Sequence, residues 1–142
     1  MFKISDQIFR VVKEGSIKFI EIEMYEKKRI LEQIRLKYVN DKIKGSWMWE
    51  KLNTPMVLCD KDAWSYLKNF IGNDECIIFF NQEDDERMFC ISNGEDLDYI
   101  LSETYGFEFY ITNRLSEYLF CFNHHNILYG CGSAKNWMNS IM

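Results

Sequence analysis

FEFYITNRLSEYLFCFNHHNILYGCGSAKNW, residues 107–137, is the stretch whose reading decides the fold. Phe107, Phe109 and Ile111 alternate with Glu108, Tyr110 and Thr112. A period of two marks a strand with two unlike faces. Arg114 and Ser116 then interrupt the apolar run. Beyond them Tyr118, Phe120 and Phe122 alternate with Leu119 and Cys121, so this second run is apolar on both faces. Such a strand belongs in the middle of a sheet, beneath covering layers. The pattern predicts a central strand at 118–122, flanked by strands at 107–111 and 127–129. Asn123 to Asn126 form the turn between the second and third. Gly130 and Gly132 are expected to permit a tight turn into a last helix, 134–141, capped by Ser133.

Working outward, Gly106 ends a helix expected over 95–105, capped by Asn93, with Leu97, Ile100 and Leu101 facing the core. Before it, ECIIFFN predicts a buried strand at 76–80, and RMFCIS its return strand. Asp60 can cap a helix over 61–71, whose apolar face holds Trp64, Leu67, Phe70 and Ile71. Pro55, the only proline, opens the short run PMVLC, where a missing N–H does least harm. SWMWEKL predicts a short strand with Trp47 and Trp49 on one face. Met24, Ile30, Leu31, Ile34 and Tyr38 mark one side of a long helix. IKFIEIE is either an edge strand or the beginning of that helix. A first helix spans 5–14 and ends at Gly15–Ser16. Short connections between neighbouring strands favour antiparallel pairing. The expected fold is therefore α+β: one domain, 1–142, with a largely antiparallel sheet of about 5–7 strands and helices packed on it.

Composition narrows the function. The chain has 142 residues, enough to bury a core without a metal or disulfide. Its 22 acidic residues outnumber 17 basic ones, giving −5. That balance argues against a nucleic-acid partner, which needs a basic surface, and is compatible with a basic protein partner. No apolar run approaches the length of a membrane span. The beginning, MFKISDQIF, lacks the uninterrupted apolar core of a signal peptide. Cys59, Cys76, Cys90, Cys121 and Cys131 are odd in number and contain no CxxC, as in a reducing compartment. The expected location is cytoplasmic.

No complete catalytic motif is present. Cys121, His124, His125 and Cys131 give C-x2-H-H-x5-C, which does not match paired zinc-ligand spacings. No metal or other cofactor is expected. Asn123, His124 and Asn126 suit a turn held by short polar side chains, and Asn123, His124 and His125 form the alternative candidate for a polar site. The hairpin connection carries four consecutive acids, Glu83, Asp84, Asp85 and Glu86, enough charge to steer a basic partner. Trp47 and Trp49 are candidate anchors beside it, since tryptophan is enriched at binding hot spots, although a lid over the core is the commoner role. Nothing in the sequence specifies an oligomeric state.

HHNILYGCGSAKNW, together with GFEFYITN, NGEDLDYILSE and, in outline, WMWEKL, resembles a group of small proteins of Gram-positive bacteria. These end in an aromatic strand, an Asn-His-His turn, an apolar strand, a Gly-x-Gly turn and a Trp-containing helix. Some resemble immunity proteins of polymorphic, contact-dependent toxin systems. The resemblance implies a non-enzymatic cytoplasmic antitoxin that binds a cognate toxin domain and blocks it. It implies no catalytic residue. The residues carrying it are Asn123, His124, His125, Gly130, Gly132 and Trp137.

Overall fold

The computed structural model describes residues 3–142. Seven antiparallel strands form one sheet: β1 (Phe19–Glu21), β2 (Met56–Cys59), β3 (Cys76–Phe79), β4 (Phe89–Ile91), β5 (Phe109–Thr112), β6 (Tyr118–Phe122) and β7 (Ile127–Gly132). Their spatial order is β1-β4-β3-β5-β6-β7-β2. The single-domain α+β expectation holds. β6 is buried along its whole length between β5 and β7, as its two-faced apolar pattern requires. The segment IKFIEIE resolves as an edge strand, and β2, behind Pro55, forms the other edge.

Five α-helices cover the sheet: α1 (Ile4–Gly15), α2 (Met24–Tyr38), α3 (Leu67–Ile71), α4 (Gly94–Ser102) and α5 (Ala134–Ile141). Four of them lie on one face. Ile8 of α1, Leu67 of α3, Leu97 of α4 and Met138 of α5 join Ile78, Phe109, Phe120 and Leu128 of the sheet in one apolar core. On the other face α2 contributes Ile30 and Ile34, which meet Ile77, Phe79, Tyr110, Leu119 and Cys121. Alternation along each strand thus feeds two cores. Among the described residues no helix is long and apolar enough to cross a membrane.

Several local expectations give way to packing. SWMWEKL is not a strand: Met48–Lys51 form a 3-10 helix, and the two indoles stack on each other at 5.7 Å. Glu50 accepts the N–H groups of Ser46 and Trp47, which closes this turn locally. The helix expected over 61–71 begins as a 3-10 turn, Ala63–Tyr66, before α3. Asp60 there accepts from the Asp62 N–H and the Tyr66 hydroxyl. α4 stops at Ser102, short of Gly106. Met24 is exposed although its spacing matches the buried side of α2. Ser133 precedes α5 without a capping side-chain bond.

The pair Gly130–Gly132 belongs to β7 rather than to a turn alone. A Cβ on Gly130 would lie 2.3 Å from Met138 Sδ and 3.2 Å from Ala134 Cβ, so this glycine lets α5 seat directly on the sheet. Gly132 has φ +66 and does make the expected turn.

Candidate functional site

The C-terminal end of β3, the start of β5, the end of β6 and the β6–β7 turn all lie at one end of the sheet. A cleft of about 980 Å³ opens there. The acids Glu83, Asp84, Asp85 and Glu86 line it together with Trp47, Asn123 and His124. Three candidates separated by dozens of residues in sequence therefore share one concavity. Trp49 and His125 do not line it. Phe107, Phe109, Phe122 and Leu101 supply apolar surface, and Lys3 and Lys61 are the lysines of the lining.

At the centre is Glu108, only 7% exposed. It stands just before Phe109, which pairs with Phe122, and this brings it beside the β6–β7 turn. Its Oε1 accepts Asn81 Nδ2 at 2.7 Å and Trp49 Nε1 at 3.1 Å. Its Oε2 accepts the His124 backbone N–H at 2.8 Å and makes a short contact with His124 Nδ1. Burial raises the pKa of the carboxyl, but the His124 backbone N–H, the His124 ring, Asn81 and Trp49 outweigh it and hold the group below its ordinary value. An ionised Glu108 can only accept, so it takes the Nδ1–H of His124, and in the neutral form of the ring Nε2 keeps its lone pair. The His124 side chain is 49% exposed.

This arrangement is braced from below. Tyr110 Oη donates to Asn81 Oδ1 at 2.8 Å and accepts the Trp49 N–H at 3.2 Å. Asn81 also starts the acidic connection, its carbonyl accepting the N–H groups of Asp84 and Asp85. The hairpin tip and the β6–β7 turn are therefore joined through two side chains, Asn81 and Glu108. Asn123 is 98% enclosed, with 2% exposure, and its Oδ1 accepts the N–H groups of His125 and Ile127, the turn-holding role expected of it. Asn126 takes φ 60 to complete the turn. Trp49 stacks on Tyr129 at 5.7 Å, while Trp47 and His124 meet edge to face at 5.7 Å.

The acidic run does not act as a unit. Glu83, Asp84 and Glu86 are exposed, whereas Asp85 is 1% exposed. Asp85 Oδ2 accepts the Ser5 N–H at 2.9 Å and the Ser5 hydroxyl at 2.6 Å. Its Oδ1 accepts the Arg87 N–H at 3.1 Å, and Arg87 also faces Asp6 at 3.5 Å. Burial pushes the Asp85 carboxyl up, and the Ser5 and Arg87 bonds bring it below its ordinary value. Asp85 therefore ties α1 to the hairpin instead of facing a partner.

Sequence reasoning did not single out Glu108, Asn81 or Tyr110. The available signal was Glu108 itself, a lone charge flanked by Phe107 and Phe109 in an alternating run. Cys76, Cys90, Cys121 and Cys131 are buried and unpaired, and burial pushes all four thiols up, so these positions behave as small apolar groups. Among the described residues no group of three or more His, Cys, Asp or Glu side chains is arranged to hold a metal ion.

A single antiparallel α+β domain with a polar, aromatic-walled cleft at one sheet end is the class this geometry defines. The chain belongs to DUF6756, a family of unknown function, whose model matches residues 2–141. No curated protein and no solved structure matches it.

Proposed function

We propose that this protein is a non-enzymatic binding protein of the immunity type, which captures a basic toxin domain through the cleft. One observation carries the reading: the exposed acids Glu83, Asp84 and Glu86 line the same cleft as Trp47 and His124. Carboxylates around an aromatic anchor suit the recognition of a cationic protein surface, with the charges raising the association rate and the indole supplying buried area. Residues 123–137 resemble a group of small bacterial proteins, some of which resemble immunity proteins, and this points the same way.

The decisive experiment co-expresses the protein with the product of the neighbouring open reading frame. Stoichiometric co-purification and restored growth are expected. Reversing Glu83, Asp84 and Glu86 to lysine should weaken capture at least tenfold, about 1.4 kcal/mol or more. Asp85 stays unchanged in that variant because it is structural. Growth that is not rescued, or capture indifferent to the reversal, would sink the reading.

A second reading, a small enzyme using His124 as a base, draws on the oriented Glu108–His124 pair. Of the described cleft residues none is a serine or cysteine, and the Thr104 hydroxyl donates to the Ile100 carbonyl at 2.8 Å. Water activated by His124 is the nucleophile this reading uses. Hydrolysis of a model ester or phosphodiester that disappears in His124→Ala would favour this reading.

A further inference from the structure

The Glu108–His124 pair is the one part of the cleft that a purely electrostatic contact leaves unused. Burying a carboxylate is unfavourable unless its oxygens are bonded, and here four donors converge on it. Two of the four come from His124. The turn itself is already held by Asn123 and by the φ 60 conformation of Asn126, so the ring contact is not needed to form it. What the contact does achieve is orientation. With Nδ1–H held on Glu108, an imidazole in its neutral form presents Nε2 to the outside as an acceptor.

The surroundings of His124 are rich in acceptors too. Glu83, Asp84 and Glu86 are exposed carboxylates, and five acids line the cleft against the two lysines Lys3 and Lys61. Trp47 stands edge to face with the His124 ring and is held from one side by Trp49. Acceptors gathered around an indole select a ligand that only donates, carries positive charge and has a flat face. Guanidinium satisfies all three: it has five N–H donors and no acceptor, it stays charged, and it stacks on aromatic rings. An ammonium matches the charge but not the plane.

We propose that the cleft seats an arginine side chain of the partner protein, its guanidinium against Trp47, bonded to His124 Nε2 and to the carboxylates of Glu83 and Asp84. The aliphatic stem lies along Phe107. This assignment rests on the cleft being the partner-binding surface.

The test titrates the full chain with N-acetyl-arginine amide and follows the Trp47 indole and His124 ring resonances. Saturable shifts at both are expected. N-acetyl-citrulline amide has the same shape without the charge and should bind at least tenfold more weakly; N-acetyl-lysine amide should fall between the two. Glu83→Gln/Asp84→Asn should weaken arginine binding about tenfold, equivalent to 1.4 kcal/mol. Its two positions are exposed, so the fold is kept. His124→Ala should do the same, and His125→Ala, outside the cleft, should change nothing. No saturable shift with arginine, an equal response to citrulline or lysine, or full binding by Glu83→Gln/Asp84→Asn overturns the assignment. If the neighbouring gene product is still captured while N-acetyl-arginine amide does not bind, only the arginine seat is lost and the binding reading stands.

Discussion

Asp84 and Asp85 are neighbours in one acidic run, yet they belong to different parts of the protein. Asp84 is exposed at the cleft, where its carboxylate takes a long 3.4 Å bond from Asn81. Asp85 is enclosed and bonded to Ser5 and Arg87. The same contrast separates Glu108, buried under four donors, from Glu83 and Glu86 across the cleft lining. Buried, fully bonded carboxylates hold elements together. Exposed carboxylates, adding little to stability, are free to meet a partner. Local charge density cannot distinguish the two groups, whereas burial and bonding partners do.

The largest effect should come from Asp85→Ala. It strands the Ser5 N–H and hydroxyl and releases Arg87, and a loss of about 3 kcal/mol is expected from buried donors left unpaired. Urea unfolding measures it, and a loss below about 1 kcal/mol would erase the distinction from Asp84. Glu108→Gln should follow at about 2 kcal/mol, because an amide turns one accepting oxygen into a donor facing donors.

The pH dependence sharpens the same contrast. Asp85 and Glu108 are both held below their ordinary values when folded, so the unfolded chain binds their protons more readily. The stability they add is fully present above the unfolded carboxyl value of about 4 and is lost as pH falls through the lower folded values. Midpoints measured between neutral pH and strong acid should fall steeply in the wild type. In Glu108→Gln the acid limb should be shallower. An unchanged limb would mean that Glu108 is not a charged group in the fold.

The smallest effect belongs to the free acids. Glu83→Gln/Asp84→Asn/Glu86→Gln should shift stability by no more than about 0.5 kcal/mol, as surface changes do. The same variant should weaken partner capture. A large loss of stability instead would place these acids with Asp85.

The alternation of residues 118–122 sufficed to predict a central strand and its two neighbours, because burial on both faces leaves a run with no polar position. Asn93 was legible as a cap, since its Oδ1 takes the Asp96 N–H. Trp47 and Trp49 were misread as a strand: two tryptophans at period two also fit a tight 3-10 turn, and Glu50 made the choice by bonding Ser46 and Trp47. Glu108 was passed over because a single acid in an alternating strand resembles a solvent-facing position. Only the approach of Trp49, Asn81 and His124 makes it interior.

By itself, then, the sequence determined the α+β class, the antiparallel habit and most element positions. All of these follow from periodicity, capping and short connections, which act over a few residues. The tertiary structure decided the strand order, the inward turn of Asp85 and the meeting of Trp47, the acidic hairpin and His124 in one cleft. Those depend on pairings between distant segments: β3 with β5 and β5 with β6 bring Asn81, Glu108 and His124 to the same end of the sheet, and no local pattern along the chain encodes that encounter.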